Sequence, residues 1–386
     1  MRRSLSFLIA VFLSCVALAS PVQAASTPIP KPPDIDARSY ILLDYDSGRV
    51  LAEQNADQQV EPASITKVMT VYVAFDELKR GRRKLTDEVP ISEKAWRQGI
   101  DSTESRMFIE VGKTVPFGDL LRGIVIQSGN DAAVAVAEFL GGTEEGFAQI
   151  MNHYAQDLGM RNTHYMDASG MPDPQHHTTA RDIATLARAL IRNFPEQYKM
   201  FAEREFTFHG IKQQNRNGLL GRDPSVDGIK TGHTSSAGYC LAASAKRDNM
   251  RLISVVMGTP SIKAREAANA ALLGYGYTFY ETTKLKGRGA TILSPRVYKS
   301  TDKMAPVGIQ QDIFVTVPRG EAATLKSTAT VQERLMAPLA ANKSVGELLV
   351  TTAAGETVAK VPLYPLKAVP EGGLWTRMVD SVALWF

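Results

Sequence analysis

The chain reads as an α/β protein of the α+β kind: a large first domain with one sheet and a helical cluster, a small all-β domain, and a terminal amphipathic helix. Three observations predict this. Strand-like runs near residues 40–52 and 239–257 bracket a long helical middle, so the start and finish of one domain share a sheet. Beyond about Lys284, short β-rich runs alternate with Pro and Gly turns. The last residues carry a one-sided apolar stripe of helical period.

Taken in order, Met1-Arg2-Arg3, the apolar stretch Leu5 to Ala19 and the small-residue site Val22-Gln23-Ala24 read as a secretory signal over residues 1–24, too short to span a bilayer. Removing it takes Cys15 and leaves Cys240 alone, so no internal disulfide is expected and Cys240 reads as a buried small hydrophobe. Residues 25–283 form the first domain. Tyr40-Ile41-Leu42-Leu43 and Arg49-Val50-Leu51-Ala52 flank a turn-rich Asp44–Gly48 and predict a hairpin. A helix is expected from Pro62, with Ile65, Val68, Met69, Tyr72 and Phe75 on one face, then helices over 117–127, 131–140, 145–158 and 180–193. Thr179 with Asp182 three residues on marks the last of these starts. Strands follow over 239–245 and 251–257, then a helix over 262–275, and residues 284–370 form the all-β domain.

With 44% apolar residues and a net charge of +4 scattered among acids, the chain can bury a proper core and shows no basic block for nucleic acid. Phosphate-loop glycines and metal-ligand spacings of Cys and His are absent, so no cofactor or metal is expected. His176-His177 reads as a polar loop pair.

The chemistry sits in three ordered motifs. In Pro62-Ala63-Ser64-Ile65-Thr66-Lys67, Ser64 and Lys67 are three apart at a helix start, which makes them neighbours on one face. A serine hydroxyl needs a base to take its proton, and an amine serves if burial or a second cation depresses its pKa. Ser300-Thr301-Asp302-Lys303 repeats the S-x-x-K pattern but reads as a solvated turn of the β domain. Ser128-Gly129-Asn130 falls at a break between helices, where a short loop presents a hydroxyl and an amide. Lys230-Thr231-Gly232 precedes the strand region, and its glycine permits close backbone approach to a ligand. S-x-x-K, S-D-N and K-T-G together are the signature of β-lactamases and penicillin-binding proteins, with S-G-N here in the middle place.

The longer stretches around these motifs, Pro62–Lys67, Gln127–Asp131 and Val226–Thr234, resemble the low-molecular-mass penicillin-binding proteins, the serine-type periplasmic D-alanyl-D-alanine carboxypeptidases. The resemblance covers the mature chain. It implies a penicillin-binding/β-lactamase-like transpeptidase domain with a central antiparallel sheet. It also implies removal of the terminal D-alanine from peptidoglycan stem pentapeptides through an acyl-enzyme on Ser64, and covalent capture of β-lactam antibiotics. Carried over by motif, Lys67 accepts the serine proton beside Lys230, Ser128 protonates the leaving amine and Asn130 bonds the substrate peptide. The N–H groups of Ser64 and His233 form an oxyanion hole, Thr231 and Arg265 hold the terminal carboxylate, and Gly232 belongs to the same substrate-binding stretch. Ser105 and Arg106 are expected to border the cleft. A D,D-endopeptidase or a slow β-lactamase shares these motifs, but no E-x-x-L-N segment lies between Ser128 and Lys230 to support fast drug hydrolysis. A non-enzymatic wall scaffold is disfavoured because the serine and both lysines are present.

In residues 371–386, Leu374, Trp375, Met378, Val379, Val382, Ala383, Trp385 and Phe386 share one half of the helical wheel. Such a helix is expected to lie in the membrane interface, anchoring the protein at the periplasmic face of the bacterial inner membrane.

Overall fold

The computed structural model describes residues 29–98, 100 and 105–385, so the expected signal and Cys15 lie outside the described residues. The central sheet is built from a hairpin, β1 (Ser39–Asp44) and β2 (Val50–Gln54), and three later strands, β3 (Val226–Thr234), β4 (Gly238–Arg247) and β5 (Met250–Thr259). The order is β2-β1-β5-β4-β3, antiparallel throughout, with β1 bridging the start and finish of the domain through pairs such as Tyr40–Val256 and Leu42–Ser254.

Both faces of the sheet are covered, and the period-2 alternation of strands assigns each side chain to one core. Ile41, Leu43, Ile253 and Val255 point into the helical cluster. Tyr40, Leu42, Leu252 and Val256 point to α5 (Ile262–Phe279) and its Leu272 and Leu273 on the opposite face. The cluster is made of α1 (Lys67–Lys79), α2 (Asn130–Gly141), α3 (Glu144–Asp157) and α4 (Ala180–Asn193). Every residue of α1 from Lys67 to Phe75 is buried, so this helix runs through the core rather than over it. The expected cap of α4 forms, with Thr179 Oγ1 accepting from the Asp182 N–H at 3.0 Å.

α5 runs directly into β6 (Tyr280–Lys286), which pairs antiparallel with β7 (Ile313–Pro318) and so passes straight through the boundary expected at 283/284. The β domain adds β8 (Lys326–Val331), β9 (Gly346–Thr351) and β10 (Thr357–Pro365) around a core that includes Val307, Val315, Val350 and Leu363. It grips the turn of the β1–β2 hairpin. Thr282 Oγ1 donates to Asp44 Oδ2 at 2.7 Å, and the Ser47 and Thr316 hydroxyls meet at 2.6 Å. Arg49 donates to the Thr316 carbonyl at 2.7 Å.

The terminal helix α6 (Leu374–Ala383) turns its polar side to its own protein. Asp380 is buried and accepts from Arg296 at 3.1 Å and from the Lys299 N–H. The apolar side faces out, with Leu374 85%, Trp375 74% and Val382 60% exposed, which is the reverse of a helix docked by its hydrophobic face. No helix among the described residues is long and apolar enough to cross a membrane.

Candidate active site

The first motif adopts a tighter geometry than the expected α-helix. Ala63–Thr66 form a 3₁₀ turn and the α-helix proper starts at Lys67. In a 3₁₀ turn residues i and i+3 eclipse, so Ser64 and Lys67 still meet, Nζ to Oγ at 2.9 Å. Ala63 sits in the left-handed region at φ +48°, a strained conformation for a residue with a Cβ and one that functional sites concentrate. Lys67 is fully buried at the helix start. Its Nζ also donates to Asn130 Oδ1 at 2.7 Å and to the Ser169 carbonyl at 2.7 Å.

Asn130 arrives there because the helix Phe117–Arg122 loosens into one π-helical turn, Gly123–Gln127. Ser128 then turns the chain in the left-handed region at φ +67°, and α2 begins at Asn130. The neighbouring Asp131 staples the cleft border to this break, its carboxylate accepting from the Met107 N–H at 2.8 Å and the Phe108 N–H at 3.0 Å. Burial raises the Asp131 carboxyl pKa despite these backbone donors. Ser105 lines the cleft as expected, while the Arg106 side chain lies over the Phe108 ring at 4.7 Å.

The third motif is not ahead of the strand region but inside it. Lys230-Thr231-Gly232 forms part of β3, the sheet edge beside the Ser64 turn. The motif's glycine and internal polar residues hide the strand from a period-2 reading, and pairing with β4 supplies its definition. The glycine is required by the protein itself: a Cβ there would stand 2.9 Å from the Pro62 carbonyl and 3.1 Å from Ile65 Cγ1. Lys230 is buried, and its ammonium pKa is pushed well below the ordinary lysine value by burial first, then by Lys67, Arg216 and Arg265.

Ser64, Ser128, Thr231, Gly232, His233 and Arg265 all line one cleft of about 580 Å³. Arg265, on the first turn of α5, is 5% exposed and reaches the Gly232 carbonyl through Nη1 at 3.3 Å. Its guanidinium lies over the Tyr239 ring at 5.8 Å, and Tyr239 in turn stacks on His233 at 4.0 Å. The Arg265 Nε is buried and has no hydrogen-bond partner among the described residues. All nine expected residues are therefore gathered at one site.

Ser169, Tyr239 and Arg216 were not singled out from the sequence, and no local pattern marks them; each reaches the cleft through tertiary packing. One expectation is corrected. Ser300 is not solvated but 1% exposed, its hydroxyl lying against the Val297 carbonyl at 3.0 Å and the Asp302 carbonyl. His176 lies in a loop as expected, buried beneath the Ser64 turn, while His177 pairs its backbone with His164. A larger cavity, about 840 Å³, lies between the two domains near Arg188 and Thr316, without a serine–lysine pair.

Residues 25–261 match the model of the D-alanyl-D-alanine carboxypeptidase peptidase family. The chain belongs to that family. Residues 280–371 match the C-terminal domain of penicillin-binding protein 5, so Arg265 falls between the two matched segments. The chain is 44% identical over 364 residues to the D-alanyl-D-alanine carboxypeptidase DacA of Escherichia coli, covering 93% of this chain and 90% of that one. It is 41% identical to the carboxypeptidase DacC of the same organism, covering 96% and 93%. Penicillin-binding protein 5 from Haemophilus influenzae superposes with a TM-score of 0.85 at 42% identity, covering 89% of this chain and all of that one. Penicillin-binding protein D2 of Listeria monocytogenes, solved in an ampicillin-bound form, has a TM-score of 0.58 at 27% identity, covering 64% and 100%. This carboxypeptidase is thus a serine-type D-Ala-D-Ala hydrolase of bacterial cell-wall metabolism, with the penicillin-binding fold and its C-terminal β domain.

Proposed function

We propose that Ser64 is the nucleophile of this carboxypeptidase and Lys67 its general base. The observation that carries the assignment is the 2.9 Å contact between Lys67 Nζ and Ser64 Oγ at the cleft that Ser64 and Arg265 line. Burial and the charges of Lys67, Arg216 and Arg265 push the Lys230 ammonium well below the ordinary lysine value, so the two lysines compete for protons and one amine is left able to accept one.

Ser64 Oγ attacks the carbonyl carbon between the two terminal D-alanines while Lys67 takes its proton. The N–H groups of Ser64 and His233 stabilise the oxyanion, where one donor is worth on the order of 10²–10³ in rate. Ser128 hands a proton to the leaving D-alanine amine, and Asn130 bonds the substrate's peptide group while orienting Lys67. Thr231 and Arg265 hold the terminal carboxylate; their place on the cleft wall supports this, since guanidinium matches a planar carboxylate. Water then attacks the acyl-serine and releases the shortened stem peptide. β-Lactams enter the same cleft, their strained amide standing in for the D-Ala-D-Ala bond, and acylate Ser64.

The secretory signal delivers the enzyme to the periplasm, and the outward apolar side of α6 lies in the outer surface of the inner membrane, supported by the exposed Leu374, Trp375 and Trp385. Incubating the purified enzyme with a diacyl-Lys-D-Ala-D-Ala peptide tests the chemistry: the wild type releases D-alanine and Ser64→Ala does not. Release by folded Ser64→Ala removes Ser64 as nucleophile. A form ending at Glu371 is expected to lose sedimentation with vesicles, and retained sedimentation sinks the anchor.

A further inference from the structure

Behind the serine turn lies a group of polar side chains that the reaction above does not use. His176 has a side chain only 1% exposed and bridges two elements. Its Nε2 stands 2.9 Å from Thr66 Oγ1, within the turn that carries Ser64, and its Nδ1 stands 3.3 Å from Asp167 Oδ2. The Met166 N–H approaches the same Nδ1 at 3.4 Å, a weaker partner than a carboxylate, so the proton belongs on Nδ1 and Nε2 accepts from Thr66. Burial alone would raise the Asp167 carboxyl, but the His176 bond and the Gly170 and Ser169 N–H groups hold it down, to about 2.

Asp167 organises the loop after it. Its oxygens accept from the N–H groups of Ser169 and Gly170, both at 2.6 Å, and of Met171 at 3.1 Å. The loop is pressed on the serine turn so closely that a Cβ on Gly170, at φ +88°, would fall 1.8 Å from the Ala63 carbonyl. The product of this folding is one oriented acceptor, the Ser169 carbonyl, 2.7 Å from Lys67 Nζ. A neutral amine has two N–H bonds and a lone pair. When its N–H groups go to Asn130 Oδ1 and the Ser169 carbonyl, such an amine turns its lone pair toward Ser64 Oγ, 2.9 Å away.

We infer that Asp167 and His176 are positioning residues for the general base: they lock the Ser169 carbonyl to the back of the serine turn and so aim the Lys67 lone pair at Ser64. The inference rests on Lys67 acting as base. The charged and titratable groups around this assembly are Lys230 from β3 on the cleft side, Glu144 from the start of α3 against the Ala168 N–H, and the Tyr165 ring against His176.

A carbonyl bonds an ammonium more strongly than an amine, so losing the Ser169 contact favours neutral Lys67 and moves the ascending limb of the pH–rate profile to lower pH. Misaimed, that amine works less well, and displacement of this size costs about 10–100-fold. The test is the second-order rate of Ser64 acylation by a fluorescent penicillin from pH 5 to 10, on the full chain and on Asp167→Asn, His176→Leu and His176→Asn, with melting curves for each. Asp167→Asn and His176→Leu are expected to melt cooperatively, acylate at least tenfold more slowly at the plateau, and shift the ascending limb to lower pH. His176→Asn, which keeps a donor where Nδ1 was, is expected to recover most of both. Folded Asp167→Asn and His176→Leu with wild-type rates and limb overturn the inference while leaving the Ser64–Lys67 assignment intact. A slower plateau with an unmoved limb and no recovery in His176→Asn also overturns it, marking the pair as mere scaffolding. A wild type that fails to acylate overturns the assignment and the inference together.

Discussion

The sequence writes S-x-x-K twice, and the two copies have opposite fates. At Ser64 the residues lie on a helical turn whose lysine opens a helix buried from Lys67 to Phe75, so the amine is held beside the hydroxyl and two other acceptors. At Ser300 the chain bends in a β-domain turn; the serine is buried too, but its hydroxyl spends its hydrogen bond on backbone carbonyls, and Lys303 remains exposed in solvent. Burial of the serine therefore does not make a nucleophile. What separates the copies is a buried lysine held on the same face, in a low-dielectric cleft with a second cation near enough to compete for the proton.

That contrast can be broken or sharpened by substitution. The largest effect is expected at the serines: Ser64→Ala loses D-alanine release on the order of 10⁶-fold, whereas Ser300→Ala keeps full turnover and loses about 1 kcal/mol of stability, read by thermal unfolding, because the buried Val297 carbonyl loses its hydroxyl donor. Next come the lysines. Lys67→Arg keeps the charge but not the proton acceptance and lowers kcat by about 10²–10⁴, while Lys303→Arg leaves steady-state kinetics unchanged. Gly232→Ala pushes a methyl at the Pro62 carbonyl and is expected to cost about 1–3 kcal/mol of overpacking, seen as a lower melting point and slower penicillin acylation. The smallest effect is one of stability. Lys230 carries fewer protons folded than unfolded, so stability rises with pH from its depressed folded value up to the free-lysine value near 10.4. Lys230→Met, though inactive, is then expected to melt higher at pH 7, by roughly 2–4 °C for each kcal/mol relieved, with the gain shrinking as pH approaches ~10.4.

Much of the architecture was legible because local rules write it. Helical period and a Thr179 cap place α4, and the hairpin turn places β1 and β2. The pairs Glu88–Pro90 with Thr114–Pro116 and Glu205–Phe208 with Ile211–Gln214 were not, being too short to show a period, and the first pair is joined across more than 20 residues. The three motifs revealed Ser64, Lys67, Ser128, Asn130 and Lys230 as residue types at fixed spacing. The Ser169 carbonyl, by contrast, is a backbone atom 102 residues beyond Lys67, and nothing in the polar neighbours of His176 shows that it is buried. Contacts of that separation are set by packing, and no spacing rule can announce them.

The grip of Thr282 and Thr316 on the β1–β2 turn has a mechanical meaning. The stalk is fastened to the hairpin side of the sheet, while the K-T-G strand forms the opposite edge, with β5 and β4 between. A shift of the β domain carried by these contacts thus enters the five-stranded sheet at its far margin, with two strands between it and Lys230-Thr231-Gly232, while the continuous α5–β6 junction gives it a second route, toward Arg265.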